Sequence, residues 1–176
     1  SGRLAAIEEA GRAGLRTLGI GALLGLGEWR AEAAALALHG RYLTRRFWRS
    51  RIAVSFPRLR PVPGGYAPPR LPSERDLVHM LCATRLLLPD AEIVLSTREP
   101  APLRDRLLAL GVTRISAGSR TAPGGYANND ISGAGQFAPE DVRSPAEVAA
   151  AIAASGFEPV WKDQDRALAG PWPEET

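Results

Sequence analysis

Apolar and polar positions alternate along the chain between two periods, short β-branched runs and longer stretches with helical spacing. A first helix is expected over 4–13, ended by Gly14. Residues 18–24, LGIGALL, form an apolar strand whose glycines permit a ligand or another backbone to come close. Residues 31–48 are alanine- and leucine-rich, with Leu36, Leu43 and Phe47 at helical spacing. The second strand is expected over 52–59. Beyond a proline- and glycine-rich loop, Ser73 followed by Asp76 is the signature of a capped helix running to Leu88. Strand 92–96, helix 101–110 (stopped by Gly111) and strand 112–116 follow. Ser144-Pro145-Ala146-Glu147 is a second capping box, with proline in the first turn, and Gly156 closes that helix.

Four β-then-α units in succession imply a parallel sheet with right-handed crossovers. The strands lack clean polar–apolar alternation, as expected where both faces are covered. The fold class is therefore α/β: half of a (β/α) TIM-type barrel, a parallel sheet of about four units with a C-terminal extension, or else a small open sheet. Half a barrel leaves two open edges and one uncovered face, which calls for a partner segment. Residues 1–176 read as one partial domain, with a mobile glycine-rich loop over 117–143 and a helix and tail over 144–176. The sequence runs almost at once into Ile7-Glu8-Glu9-Ala10, and a cut through a longer protein is expected.

Composition narrows the function classes. Hydrophobic residues make up 45% and charged residues 23%, as in an ordinary globular domain. The net charge is +3, yet Lys162 is the single lysine and the arginines are scattered, with only Arg45, Arg46, Arg49 and Arg51 close together. A nucleic-acid surface would show a basic stripe interleaved with aromatics, so no nucleic-acid partner is expected. One cysteine, Cys82, excludes an internal disulfide and suits a reducing cytoplasm. No apolar run reaches spanning length and no leader pattern opens the chain, so no membrane association is expected.

The candidate chemistry lies at two strand ends, IAVSFPRLRP at 52–61 and IVLSTRE at 93–99. In βα-repeat proteins the C-terminal strand ends build the site, and guanidinium forks there suit a carboxylate or phosphate. Arg98 ends a buried strand, so either Glu99 pairs with it or a ligand carboxylate does. Arg58 and Arg60 share a parity and face one side of an extended strand, stiffened by Pro57 and Pro61. They serve either a ligand or a structural ion-pair network. Ser116, Ser119 and Thr121 follow the fourth strand, where hydroxyls orient a polar ligand or cap a turn. Pro-Gly-Gly-Tyr-Ala occurs at both 63–67 and 123–127, each copy after a strand end. These are two ligand loops or two Gly-Gly turns with a packing tyrosine, Tyr66 and Tyr126. His39 and His79 have no second ligand at metal spacing, and no Walker loop, nucleophile elbow or dinucleotide fingerprint is present. Cys82 lies mid-helix among Met80, Leu81 and Leu86, a core setting.

These motifs carry a family resemblance. GIGALLGL at 19–26, SFPRLRP at 55–61, LSTRE at 95–99, SAGSRTAPGGYA at 116–127 and EPVWKD at 158–163 occur in an order that resembles the C-terminal half of the ThiH-type tyrosine lyases (2-iminoacetate synthases). These belong to the radical S-adenosylmethionine superfamily and carry the biotin and thiamin synthesis associated region. The resemblance implies strands five to eight of a barrel and cleavage of L-tyrosine to 2-iminoacetate (dehydroglycine) and 4-cresol, for the thiazole of thiamin. It implies two cofactors, S-adenosylmethionine and a [4Fe–4S] cluster held by three cysteines in a CxxxCxxC loop, which together yield a 5′-deoxyadenosyl radical. That loop does not occur in these 176 residues, so inactivity of the chain by itself is expected.

By resemblance Arg98 would hold the substrate carboxylate with Ser116 close by. Gly19 and Gly21, with Ser55, Arg58 and Arg60, would line the S-adenosylmethionine pocket. The implied partners are the N-terminal half of the barrel or a chain carrying it, and a thiazole synthase. A tryptophan lyase of the same group is an alternative substrate class. The hydrogenase-maturase tyrosine lyases fit less well, since their additional C-terminal cysteine cluster does not occur here. From a different class, a non-catalytic half-barrel binding module that docks on a cluster-bearing chain is the alternative function.

Overall fold

The computed structural model describes residues 2–60, 66, 71–121 and 137–161. Its element order is α1 (Gly2–Arg12), β1 (Thr17–Gly21), α2 (Trp29–Arg46), β2 (Arg51–Ser55), α3 (Glu74–Leu87), β3 (Glu92–Leu95), α4 (Ala101–Leu108), β4 (Arg114–Ile115) and α5 (Pro145–Ala154). The four strands form one parallel sheet in the order β1-β2-β3-β4. This is the α/β half-barrel expected from the βα alternation. Among the described residues β1 pairs with β2 alone and β4 with β3 alone, so each leaves one edge open.

Both predicted capping boxes form. The Ser73 N–H donates to Asp76 Oδ2 at 3.0 Å, and the Asp76 N–H donates back to Ser73 Oγ at 3.2 Å. Ser144 and Glu147 do the same at 2.8 and 3.3 Å. Each box satisfies two helix-start groups that have no intrahelical partner. Glu28 caps α2, accepting from the Ala31 N–H at 3.0 Å, so this helix starts two residues before the expected 31.

All four strands end before their expected limits, β3 by one residue. β1 stops at Gly21 instead of continuing to 24, and β2 stops at Ser55 instead of 59. Pro57 has no N–H to continue the ladder. The chain recovers one parallel bridge further on, between Leu24 and Arg58. There the Leu24 N–H donates to the Pro57 carbonyl at 2.9 Å and the Leu59 N–H to the Leu24 carbonyl at 2.8 Å. β4 contracts to Arg114–Ile115, although Thr113 and Ser116 still donate to the Ile93 and Leu95 carbonyls.

Register divides the sheet into two faces. Leu18 and Ile20, Ile52 and Val54, and Ile93 and Leu95 point to the helices. They form one core with Leu36 and Leu43 of α2, Leu77, Met80 and Leu81 of α3, and Leu103 and Leu107 of α4. Neighbours in register on the opposite face are Gly19 beside Ala53 and Glu92, and Gly21 beside Ser55, Val94 and Arg114. Near the strand starts this face carries Glu92 between Arg51 (3.5 Å) and Arg114 (3.1 Å). Towards the strand ends its residues become small.

Of the segment expected to be mobile, 122–136 lies outside the described residues, as do the second Pro-Gly-Gly-Tyr-Ala copy and residues 162–176. Only Tyr66 of the first copy is described, and it is exposed. The flanks of the segment are tied down. Glu140 and Asp141 donate their N–H groups to the Thr97 carbonyl at 2.9 and 3.2 Å, and Gly118 donates to the Arg143 carbonyl at 3.2 Å. Among the described residues no helix is long and apolar enough to cross a membrane.

Candidate functional site

The C-terminal ends of β2 and β3 bring two arginines onto one buried carboxylate and set a third arginine beside them. Glu99 is 1% exposed. Arg58 Nε donates to its Oε1 and Oε2 at 2.9 and 3.1 Å, and Arg58 Nη2 also donates to Oε2. The remaining Arg58 nitrogen, Nη1, donates to the Pro72 carbonyl at 3.1 Å. Arg60 Nη2 donates to Glu99 Oε2 at 3.3 Å and to the Arg98 carbonyl, while Arg60 Nη1 lies 3.4 Å from Glu140 Oε1. The equal parity of Arg58 and Arg60 thus delivers both forks to one acceptor. Hydrogen bonding to Glu99 raises the Arg58 pKa against the opposing effect of burial.

Arg98 differs from its neighbours. It is half-buried, and among the described residues its guanidinium has no carboxylate partner. Its Cζ sits 3.6 Å from the centroid of the Phe137 ring. Burial lowers its pKa, the Arg60 charge lowers it further, and Glu99 opposes both. Arg58, Arg60 and Arg98 against Glu99 and the exposed Glu140 leave one positive charge in excess. A desolvated cation beside another cation favours an incoming anion, and a carboxylate matches the guanidinium edge. Of the two partners open to Arg98 in the sequence, Glu99 is engaged elsewhere, by Arg58 and Arg60.

Ser116 follows β4. Its N–H donates to the Leu95 carbonyl at 3.0 Å, and its own carbonyl accepts from Arg104 Nη2. Its hydroxyl makes no hydrogen bond among the described residues. Thr121 is engaged, its Oγ1 donating to the Phe137 carbonyl at 2.6 Å.

Gly19, Gly21 and Ser55 form the floor of the uncovered face. A Cβ at Gly19 would meet open space, whereas one at Gly21 would lie 2.4 Å from Ser55 Oγ. Gly19 therefore leaves open space on this face, and the position beside Gly21 is taken up by Ser55. Arg58, by contrast, directs its donors to Glu99 and Pro72. A cluster is a different matter. Cys82 is the chain's one cysteine and is half-buried on α3, so these residues do not fit a [4Fe–4S] group.

Four participants were not singled out from the sequence. Arg104 is fully buried and pairs with Asp141, itself 2% exposed, 37 positions away. Arg143 Nη2 and Nε reach Asp141 Oδ2 at 2.7 and 3.1 Å, and its Nη1 and Nη2 reach Asp105 at 3.0 and 2.9 Å. Burial would raise the Asp141 pKa, but hydrogen bonds from Arg143 and the charge of Arg104 outweigh it and lower the value. This network fixes the returning strand of chain that carries Phe137 and Glu140. The one sequence signal was an aromatic residue ending a glycine-rich segment.

The chain is similar to known proteins over most of its length. The chain is 48% identical over 167 residues to the 2-iminoacetate synthase of Escherichia coli (strain K12), covering 94% of this chain and 44% of that protein. It is 46% identical over 164 residues to the 2-iminoacetate synthase of Salmonella typhimurium, covering 93% and 43%. The chain thus spans less than half the length of these relatives. The crystal structure of HydG, a maturase of the [FeFe]-hydrogenase, superposes with a TM-score of 0.82 at 32% identity, covering 91% of this chain and 35% of HydG. Residues 55–158, from the end of β2 through α5, match the Biotin and Thiamin Synthesis associated domain, and the chain belongs to that family.

Proposed function

We propose that the chain is the C-terminal, carboxylate-holding part of a radical S-adenosylmethionine tyrosine lyase that converts L-tyrosine to 2-iminoacetate and 4-cresol. The carrying observation is the half-buried Arg98 guanidinium, set against Phe137 without a carboxylate partner among the described residues, while Glu99 is held by Arg58 and Arg60. Nearly half of its residues are identical to the 2-iminoacetate synthases over almost its whole length, which supports the reading.

In this reading Arg98 takes the substrate carboxylate on its open edge and Ser116 offers its hydroxyl to the same amino-acid end. Cleavage of the Cα–Cβ bond leaves that carboxylate on the 2-iminoacetate fragment, so the same fork holds substrate and product while 4-cresol departs. Fixing one end of tyrosine in this way orients the rest of the molecule over the uncovered sheet face. Gly19 leaves open space on that face for S-adenosylmethionine, with the Gly21–Ser55 pair next to it. The cofactor with its [4Fe–4S] cluster would supply the radical that starts cleavage, and the cluster ligands would come from the other half of the barrel. Such a half, in the same polypeptide or in a partner chain, also covers the open edges of β1 and β4. The imine product hydrolyses readily in water, which suits direct use by a thiazole synthase in the cytoplasm.

The test is Arg98→Ala in the complete enzyme. L-tyrosine affinity and tyrosine-dependent turnover should collapse while iron and sulfide content stay unchanged. Unaltered tyrosine affinity would remove the carboxylate assignment.

A further inference from the structure

We propose that Phe137 is a positioning residue for the Arg98 guanidinium, so that the segment 137–141 completes the carboxylate site; this rests on the reading of Arg98 above. The ring stands 3.6 Å from Arg98 Cζ. An aromatic face attracts a cation through its quadrupole and does so more strongly where water is displaced. A ring stacked on the guanidinium plane occupies one face and leaves the N–H edge clear, and a carboxylate binds at that edge. Arg98 has no carboxylate among the described residues to hold it in that orientation. Its backbone, by contrast, is fixed, with the carbonyl accepting from Arg60 and the N–H donating to Ser96 Oγ at 3.3 Å.

Phe137 is placed with comparable care. Its carbonyl accepts from Thr121 Oγ1 at 2.6 Å. Three and four residues on, Glu140 and Asp141 donate to the carbonyl of Thr97, the residue before Arg98. Asp141 is in turn locked to Arg104, which also binds the Ser116 carbonyl. The buried Arg104–Asp141 pair therefore ties together the three segments that carry Arg98, Ser116 and Phe137. A stable ring over Arg98 follows from that tie.

The experiment uses the complete enzyme without reductant, so that binding is read without turnover. Calorimetric affinities are measured for L-tyrosine and for tyramine, which lacks only the carboxylate. Phe137→Leu should weaken L-tyrosine by about 3- to 30-fold and leave tyramine unchanged. Phe137→Tyr, which keeps the ring face, should restore L-tyrosine binding. With Arg98→Gln already present, Phe137→Leu should have no further effect. Replacing Phe137 by progressively fluorinated phenylalanines keeps shape and packing, and L-tyrosine affinity should fall stepwise as the ring loses its negative face. That series decides the matter even if Phe137→Leu does not fold. Equal losses for tyramine and L-tyrosine, or a flat fluorination series, would overturn the positioning role. If Arg98→Gln weakens L-tyrosine while Phe137 variants do not, Arg98 stands and Phe137 falls. If Arg98→Gln leaves L-tyrosine unchanged, both fall together.

Discussion

Arg58 grips Glu99 through Nε and Nη2, and the residue just before that glutamate, Arg98, turns its guanidinium the other way, onto the Phe137 ring. Two adjacent residues of opposite charge thus serve different partners. A buried carboxylate organises the strand ends, and a cation is left to meet something from outside. The division follows from geometry, since Arg58 and Arg60 approach Glu99 from the end of the neighbouring strand.

Glu99→Gln should be strongly destabilising. The substitution keeps the shape but removes the buried charge that two half-buried forks share, and breaking a buried pair from one side costs about 3–5 kcal/mol. Denaturant unfolding of the complete enzyme should show a clear loss. A change within measurement error would mean that Arg58 and Arg60 find water or another acceptor.

Arg98→Lys should fold normally and still bind L-tyrosine poorly. The ammonium keeps the charge but not the planar fork or the flat face that stacks on Phe137. The expected loss in affinity is on the order of tenfold or more, corresponding to about 1.4 kcal/mol or more. Full affinity in the lysine variant would show that charge alone suffices at this position.

Asp141 gives the structure an acid-sensitive clamp. Its folded pKa lies below that of an unfolded aspartate, so its stabilisation is fully present above the ordinary carboxylate range. That stabilisation is lost as pH falls through the lowered folded value. Arg104 and Arg143 do not titrate there, because arginine remains protonated in proteins. Asp141→Asn should therefore lower stability at neutral pH and flatten its decline on the acid side. Parallel acid limbs in the two proteins would show that Asp141 carries none of the pH dependence.

The sequence exposed those parts of this architecture that are local. Ser73 with Asp76 and Ser144 with Glu147 are three residues apart, and each pair closes its box as its spacing requires. The apolar runs located all four strands, and parity placed Arg58 and Arg60 on one side. Strand ends were less legible, because Leu24 is buried whether the ladder runs on or breaks at Pro57 and resumes as one bridge. Partners distant in sequence were not legible at all. Nothing near Arg104 announces Asp141, and nothing near Arg98 announces Phe137, since each pairing depends on how the chain after β4 returns to the sheet.

Gly19 and Gly21 lie on the same face of β1 and should respond in opposite ways to an added methyl group. At Gly21 the new Cβ would stand 2.4 Å from Ser55 Oγ and 3.0 Å from the Ser55 carbonyl oxygen. The hydroxyl can rotate away but the carbonyl is fixed in the ladder, so Gly21→Ala should cost about 1–3 kcal/mol. At Gly19 the same group meets nothing within 4 Å. Gly19→Ala should be neutral or slightly stabilising, since alanine loses less backbone freedom than glycine on folding. Any effect of Gly19→Ala on S-adenosylmethionine affinity then reports occupancy of the space above the strand rather than damage to the fold. A Gly19→Ala enzyme that binds the cofactor as tightly as its parent would place the cofactor elsewhere on the sheet.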